Sequence, residues 1–397
     1  MVTQTQLNER ARRRRFLLKS VGTGGIAILP AAPEQQRNRD SNFPYRHTID
    51  FFYFTGFTEP EAVAVFIPGR KQGEYILFCR DRDPQREQWD GRRVGVMLAP
   101  QVLECDDAFP IEDIDEILPG LLEDRTAVHY TFGQSLDFDG ELMSWLNQVH
   151  TKTRNWQSTP TEFVALEPLI HEMRLIKSRS EIAQMRRAAQ ISAQGHTRAM
   201  RACIPGMMEH ALEAELIYHY RKNNALHAFE PIVGGGENAC ILHYVENDAE
   251  LKDGDLVLVD SGAELELYAG DITRTYPVNG TFSPAQKEVY EIVLAAYFAA
   301  VEAVQPGNQF CDPHDAAVEV LTKGLVKLGL LKGRVNSLIR QGEHQRFFMH
   351  RTSHWLGLDV HDVGEYKDDK QWRTLEPGMV LTIEPGLYIP SAPDVPE

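Results

Sequence analysis

The chain is poor in cysteine, in long apolar runs and in positive charge, and each shortage excludes a class of protein. Its 397 residues include five scattered cysteines with no CxxC pair, so a disulfide framework or a thiolate metal site is not expected. No apolar run approaches the roughly 20 residues that span a bilayer. The net charge of −16 argues against nucleic-acid or anionic-membrane partners. We therefore expect a cytoplasmic protein, in a reducing compartment.

The N-terminus carries a strongly basic segment. Arg12 to Arg15, followed by FLLKS, resembles a twin-arginine export signal. Against export, the next apolar stretch contains three glycines and ends at Pro30 without a clear cleavage site. The favoured interpretation is a basic helix that leads into a first strand at 25–29, with export as the minor alternative.

The first half of the chain mixes strand and helix patterns. FFYFTGF, AVAVFIP and EYILFCR are typical of strands, whereas 114–122 and 142–149 are typical of helices. A polar, turn-rich segment that begins at Thr151 is the predicted linker. We therefore predict an α/β (α+β) protein with two domains, 1–165 and 166–397.

The second domain has clear helix boundaries. Ser178 and Glu181 form an S-x-x-E capping box, and the helix that they open is expected to stop at Pro205-Gly206. Further helices are predicted over 209–223, between 283 and 306, and from 312 onward.

Two acids stand out between Leu251 and Thr275. Asp260 ends a predicted strand, 256–259, and a return strand is expected to end near Asp271. Acids at the ends of adjacent antiparallel strands can lie a few ångströms apart. Because two such charges cannot both stay ionised cheaply, a metal ion between them is the usual resolution. Taken alone, the pair fits ordinary turn residues equally well.

A twelve-residue pattern occurs twice in this domain. LKDGDLVLVDSG at 251–262 aligns without gaps with LEPGMVLTIEPG at 375–386, so that Glu384 falls on Asp260. The helical layout before each copy also repeats. This predicts two similar halves related by a pseudo-two-fold axis, with an acid from each half near that axis.

Histidines gather near the second copy. His350, His354 and His361 fall within twelve residues, and His243 lies in CILHYVEN. Imidazole and carboxylates together suit a dinuclear hydrolytic centre, whose two ions, roughly 3.5–4 Å apart, lower the pKa of a bridging water. The remaining histidines are then expected to donate hydrogen bonds or carry protons.

Six stretches distributed over nearly the whole chain carry a family resemblance. They are PYRHTIDFFYFTGFTEPEA, HEMRLIKSRSEIAQMRRAA, GGGENACILHY, YAGDITRTYPVNG, FFMHRTSHWLGLDVHDVG and LEPGMVLTIEPGLY. Together they resemble the Xaa-Pro aminopeptidases (aminopeptidase P) of the M24 metallopeptidase group. The resemblance implies a creatinase/prolidase-type N-terminal domain, then a pita-bread catalytic domain. The implied activity is hydrolysis of the N-terminal Xaa-Pro bond of peptides through a metal-bridging hydroxide.

The resemblance also implies roles for matching residues. The implied metal ligands are Asp260, Asp271, His354 and Glu384. Among them, Asp271 would bridge two ions and Glu384 would also accept a proton. Two manganese ions are implied, with cobalt or zinc as alternatives that spacing alone does not distinguish.

Substrate contacts are implied as well. His243 and His361 would contact the substrate or transition state, and His350 and Tyr388 would lie near the proline. Trp89, in EQWDGRR, matches an aromatic residue that such enzymes lend to a neighbouring subunit. This implies a homo-oligomer, a dimer or tetramer; a buried structural tryptophan is the alternative.

Two departures from the family pattern concern the centre. A fifth ligand, a glutamate in a G-x-R-x-E strand, is expected beyond the last residue, and Asp394 and Glu397 are poor substitutes. We therefore expect a truncated chain or a damaged centre, with weak binding of at least one metal and impaired activity. Arg351 stands where family members commonly carry a small residue such as glycine, and either crowds the site or points to solvent.

Two alternative functions remain open at this point. A prolidase shares the catalytic half but cleaves dipeptides, so access to the pocket separates it from an aminopeptidase. A non-catalytic binding protein that keeps the fold would bind no metal and cleave no Xaa-Pro peptide.

Overall fold

The computed structural model describes residues 3–152, 158–392 and 395, and the chain divides into two compact units, Met1–Met173 and Arg174–Glu397. The predicted domain limits, 1–165 and 166–397, stay a prediction. Residues 153–157 of the predicted linker lie outside the described residues, as do Asp394 and Glu397. The mixture of helices and strands confirms the predicted α/β (α+β) class.

The first unit is a mixed sheet with helices. Its elements are α1 (Gln4–Val21), β1 (Gly25–Pro30), β2 (Gln36–Asn38), β3 (Ser41–Asn42), α2 (Ile49–Thr55), β4 (Val63–Phe66), β5 (Tyr75–Cys79), α3 (Pro84–Asp90), α4 (Gly95–Leu103), β6 (Asp107–Pro110), α5 (Ile114–Leu122), β7 (Ala127–Tyr130), α6 (Leu136–Lys152), β8 (Glu162–Ala165) and α7 (Glu167–Leu175).

Six strands of this unit form one sheet in the order β6-β5-β4-β1-β7-β8. The β1–β4 and β4–β5 pairs are antiparallel, and the β1–β7, β5–β6 and β7–β8 pairs are parallel. The central strands β4 and β5 are buried along their whole length. This is why AVAVFIP and EYILFCR read as continuous apolar runs without alternation.

One predicted strand is wrong. FFYFTGF does not extend a sheet, because Ile49–Thr55 forms the helix α2, which ends at Gly56 with φ +65°. Phe51 and Tyr53 are both buried although residues two positions apart lie on different faces of a helix, so the helix packs apolar side chains on more than one face. Aromatic-rich sequence favours strands only as long as packing does not decide otherwise.

The basic N-terminal segment is a helix followed by a strand, as favoured above. Arg13 donates a hydrogen bond to the Tyr53 carbonyl oxygen at 2.9 Å, and Arg14 pairs with Glu104 at 3.0 Å. Both arginines are almost fully buried. Both arginine side chains therefore help to hold this unit together.

The second unit contains helices and small sheets. Its elements are α8 (Arg179–Ala202), α9 (Glu209–Lys222), β9 (Leu226–His227), β10 (Ile232–Gly235), β11 (Leu256–Ser261), β12 (Ala263–Leu265), β13 (Tyr268–Ala269), β14 (Ile272–Pro277), α10 (Pro284–Ala303), α11 (Asp312–Lys327), α12 (Val335–Gln341), β15 (Lys367–Asp368) and β16 (Gln371–Trp372).

The predicted boundaries of α8 are confirmed. Ser178 caps the helix and Glu181 returns the bond to the Ser178 backbone, which completes the capping box. The buried residues Met185, Ala188 and Ser192 recur at helical spacing and direct one face toward the core that also contains Val257 and Val259. Within the described part of the chain, no helix combines the length and apolar character that crossing a bilayer requires.

The predicted acidic hairpin needs a correction. Strand β11 pairs antiparallel with β14, and Asp271 lies just before that strand instead of at the end of a return strand. The short strands β12 and β13 lie between them in a second small sheet. Where the chain passes between the two sheets, Gly262 approaches the Gly270 backbone so closely that a Cβ atom at position 262 would lie 1.7 Å from the Gly270 oxygen.

Candidate metal centre

Asp260 and Asp271 lie on one face of the β11–β14 pair. Asp260 is paired with Thr273, and Asp271 precedes Thr273 by two positions. Side chains two positions apart along a strand share a face, and diagonal neighbours across an antiparallel pair interact. The predicted proximity of the two acids therefore holds, although the strand that carries it differs from the predicted one.

Asp260 is partly buried and has too few partners for its charge. Its Oδ1 atom is buried and accepts no hydrogen bond from any described residue. Burial, followed by the charge of Asp271, raises the pKa of Asp260 to about 7, against the opposing bond from Thr273. A buried carboxylate oxygen without a partner is costly. The local chemistry therefore fits an added cation.

His354 presents one ring nitrogen to two acids. Its Nε2 atom lies 3.2 Å from Oδ2 of Asp271 and 3.3 Å from Oε1 of Glu384. Its Nδ1 atom lies 2.9 Å from the carbonyl oxygen of Trp355, which can only accept a hydrogen bond. Nδ1 therefore carries the proton, and the lone pair of neutral His354 is on Nε2. Metal-binding histidines are commonly oriented in this way.

Glu384, in the second copy of the twelve-residue pattern, lies beside the same nitrogen of His354. The amide of Glu384 donates to the carbonyl of Thr352 at 2.9 Å, and the Thr382 amide donates to the carbonyl of His354 at 3.0 Å. Thr382 Oγ1 donates to Glu384 Oε1 at 2.9 Å and accepts from the His354 amide at 3.0 Å. Thr382 thus orients both side chains. Burial, opposed by His354 and assisted by Asp271, raises the pKa of Glu384 to about 7.

The two copies of the twelve-residue pattern have related surroundings. Asp260 is paired across antiparallel strands with Ile232, and Glu384 is held antiparallel to Thr352. In each copy, the acid therefore lies on an extended segment whose backbone is hydrogen-bonded to a segment earlier in the chain. A second partner strand, equivalent to β14, is not found beside 380–386 among the described residues.

His361 lies against His354 and is held by a buried ion-pair network. The two ring centroids are 4.2 Å apart. The neighbouring Asp362 is 1% exposed and pairs with Lys177 at 2.9 Å and Arg174 at 2.5 Å. Burial and the nearby charge of His354 lower the pKa of His361, which favours a neutral ring.

His243 is exposed in a loop that its neighbours anchor. Tyr244 donates to Glu209 Oε2 at 2.7 Å. Asn247 accepts from the Val233 amide and donates to the Pro231 carbonyl, both at 2.9 Å. His243 is near enough to His361 to lower the pKa of that ring, so the structure brings it to the edge of the same cluster.

His350 and Tyr388 form a hydrogen-bonded pair. His350 Nδ1 lies 2.8 Å from the carbonyl oxygen of Arg351, so it carries the proton, and Nε2 accepts from the Tyr388 hydroxyl at 2.9 Å. Burial, with the charges of Glu384 and Asp260, raises the pKa of Tyr388. The pair is therefore adjacent to the acid cluster.

The remaining candidates from the sequence are Trp89, Asp394 and Glu397. Trp89 is on α3 of the first unit and is 87% exposed, so the alternative of a buried structural tryptophan is wrong. Asp394 and Glu397 lie outside the described residues. Within the described residues, three ligand atoms that all lie within 4.8 Å of one another occur at Cys311, Asp312 and Asp315, which no sequence prediction had singled out.

Sequence reasoning missed the supporting residues. Thr382 and Thr273 bond the candidate ligands, and Lys177 pairs with Asp362. The available signals were weak: Thr382 lies two positions before Glu384, and Asp362 directly follows His361. Nothing in the pattern indicates that Lys177 lies beside Asp362, because 185 positions separate them.

The chain is similar to known aminopeptidases over its whole length. Residues 183–395 match metallopeptidase family M24, and residues 10–130 match the aminopeptidase P N-terminal domain. The Xaa-Pro aminopeptidase of Escherichia coli strain K12 is 46% identical over 398 residues, which cover 100% of this chain and 90% of that protein.

Solved structures of aminopeptidases are also similar to this chain. The Pseudomonas aeruginosa aminopeptidase PepP is 54% identical with a TM-score of 0.97, over 98% of this chain and 89% of that one. Zinc-substituted E. coli aminopeptidase P in complex with product is 47% identical with a TM-score of 0.96, over 98% and 89%. The expected order, a creatinase/prolidase-type domain and then a pita-bread catalytic domain, is confirmed. A match over more than half of the chain, with 46% identity to a relative across all of it, shows that the chain belongs to metallopeptidase family M24.

Proposed function

We propose that this chain is a divalent-metal-dependent aminopeptidase that removes the N-terminal residue from peptides whose second residue is proline. The observation that carries the proposal is the convergence of His354 Nε2, Asp271 and Glu384 beside the unpartnered Oδ1 of Asp260. It occurs in a chain that is 46% identical to a Xaa-Pro aminopeptidase. Because this relative is named a Xaa-Pro aminopeptidase, a prolidase or a purely binding function is less favoured.

Asp260, Asp271, His354 and Glu384 would hold the metal. Separations of 3.2 and 3.3 Å agree with ligand atoms that share a cation at bond lengths of roughly 2.0–2.2 Å. The donor set suits manganese, our proposed metal, as well as cobalt or zinc.

When bound, the metal ions would polarise the scissile carbonyl and lower the pKa of a bound water. The residues of the chain would supply the rest. Glu384 is suited to accept a proton and return it to the leaving amine. His361 and His243 would donate hydrogen bonds to the substrate.

His350 and Tyr388 would lie beside the proline. Because both ring nitrogens of His350 are already engaged, the ring is held in one orientation and presents its edge or face to the substrate. The exposed Trp89 suits a role in the pocket of a neighbouring subunit, so we propose a homo-oligomer, a dimer or tetramer. All five cysteines are free thiols, which suits the proposed cytoplasmic location.

The test combines metal content with cleavage. We expect the purified chain, after dialysis into Mn²⁺, to release the first residue of a Xaa-Pro-Xaa tripeptide and to leave Xaa-Ala-Xaa nearly intact. His354→Ala should lose both bound metal and cleavage, whereas His219→Ala should keep them. No bound metal and no cleavage at saturating Mn²⁺ would reject the proposal.

A further inference from the structure

A small polar cavity lies beside His350, which is one of its lining residues. It has a volume of about 120 Å³ and is lined by residues that include His314, His344, Gln345, His350 and Arg351. Liquid water occupies about 30 Å³ per molecule, so the cavity has room for a carboxylate group. Among the residues that the structure describes, no carboxylate side chain lines it.

His344 lacks a partner in this cavity. The residue is 6% exposed, and its Nδ1 atom has no hydrogen-bond partner in the described part of the chain. Buried polar atoms are nearly always bonded, so an unbonded one in a cavity points to a ligand or water. Next to it, His314 uses Nδ1 in a bond of 2.9 Å with Thr352 Oγ1.

Arg351 supplies the positive charge. Its guanidinium lies 5.6 Å from the centre of the Trp372 ring, a contact that helps to hold the group in place. Within the described residues, no carboxylate forms an ion pair with Arg351, although Asp315 is close enough to feel its charge. A guanidinium without an ion-pair partner, beside the buried imidazole of His344 and the half-buried imidazole of His314, is suited to bind a carboxylate.

The candidate metal centre and the cavity differ in the sign of their charge. Acids dominate the candidate metal centre, whereas Arg351 is the charged residue among those that line the cavity. Burial and the charge of Arg351 lower the pKa of His314 to about 4, which favours a neutral ring. A peptide with its N-terminal amine at the acids and a negative group further along its chain would match this distribution.

We propose that the cavity formed by His314, His344 and Arg351 binds a carboxylate of the peptide on the C-terminal side of the proline. The inference rests on the proposed aminopeptidase function. Two sources share this chemistry: the C-terminal carboxylate of a short peptide and the side chain of Asp or Glu. Arg351 then determines which substrates are preferred.

The experiment uses two pairs of substrates and the Mn²⁺-loaded full chain. The first pair is Xaa-Pro-Xaa as free acid and as C-terminal amide; the second is Xaa-Pro-Glu amide and Xaa-Pro-Gln amide. We expect kcat/KM to favour the charged member of at least one pair by about tenfold, the usual effect of a charge-assisted hydrogen bond. The pair that responds identifies the source of the carboxylate.

Variants connect the preference to the cavity. Arg351→Gln should reduce the preference about tenfold, Arg351→Lys should keep part of it, and Arg340→Gln, an exposed arginine outside the cavity, should keep all of it. Cleavage of the neutral amides tests the proposed function separately. If wild type cleaves them but prefers neither charged substrate, or if Arg351→Gln keeps the full preference, the inference is overturned.

Discussion

The Nε2 atom of His354 lies 3.2 Å from Oδ2 of Asp271, with the proton of the neutral ring on the opposite nitrogen, which faces the Trp355 carbonyl. This arrangement is favourable with a cation between the two atoms. In the absence of a cation, burial opposes protonation of the ring, but the bonds to Asp271 and to Trp355 outweigh it and raise the pKa of His354. Protonation of His354 and binding of a cation are therefore alternatives at this nitrogen.

A first prediction concerns the pH dependence of the metal-free protein. The folded-state pKa values of Asp260 and Glu384 are raised to about 7, above roughly 4 in unfolded chains. Groups with raised pKa values contribute stability at low pH and lose it as pH rises through the folded value. The raised pKa of His354 likewise contributes stability at low pH that is lost as the pH rises. We expect Tm to fall by about 5 °C between pH 6.5 and 8.

Differential scanning fluorimetry in chelator checks this prediction. Added Mn²⁺ should reverse the fall, because the metal replaces the lost protons and binds more tightly at higher pH. A metal-free Tm that stays constant or rises over this interval would show that the acids are not strained when ionised.

A second prediction separates stability from metal binding at Asp260. Asp260→Asn removes a charge that the metal-free fold must otherwise bury beside Asp271. We expect the metal-free variant to melt at a higher temperature than wild type at pH 8, by about 2–4 °C, while the Mn²⁺-induced rise in Tm shrinks. Calorimetric titration with Mn²⁺ measures the loss of affinity, and Asp368→Asn, at an exposed hairpin residue, should change neither quantity. An Asp260→Asn variant with wild-type affinity would exclude Asp260 as a ligand.

A third prediction concerns the pair Lys177–Asp362. Both side chains are 1% exposed, and removing one partner of a buried pair leaves an uncompensated charge. Lys177→Met should therefore reduce the free energy of unfolding by about 3 kcal/mol, the low end of the usual range because Arg174 remains. Urea unfolding measures it, with Lys323→Met as control, since the exposed pair Lys323–Glu319 is worth about 0.5 kcal/mol or less. Equal effects of the two substitutions would contradict a structural role for the buried network.

A fourth prediction concerns the glycine between the two acids. The Cβ atom of alanine at position 262 would lie 1.7 Å from the Gly270 oxygen, which is backbone and must move together with Asp271. Gly262→Ala should cost about 3 kcal/mol or more and weaken Mn²⁺ binding. The same substitution at Gly140, on a helix with nothing within 4 Å, should be neutral or stabilising by up to about 1 kcal/mol. Normal stability and metal affinity in Gly262→Ala would show that this backbone approach does not position Asp271.

Local rules predicted the helices well because their signals are adjacent in sequence. The capping box at Ser178 and the Pro at position 284 mark the starts of α8 and α10. The strands β4 and β5 were readable because full burial leaves uninterrupted apolar runs. Local propensity failed at 49–55, where aromatic residues form the helix α2, because burial overrode the strand preference of the residues.

The sequence by itself determined which acids and histidines are candidates for the centre, since the repeat aligns Glu384 with Asp260 and the histidines follow one another within a short segment. The tertiary structure alone decided how they meet. It placed Asp271 before β14, directed Nε2 of His354 between two acids, and set Lys177 against Asp362. Such relationships depend on strand register and on contacts across more than a hundred positions, for which neighbouring residues carry no local signal.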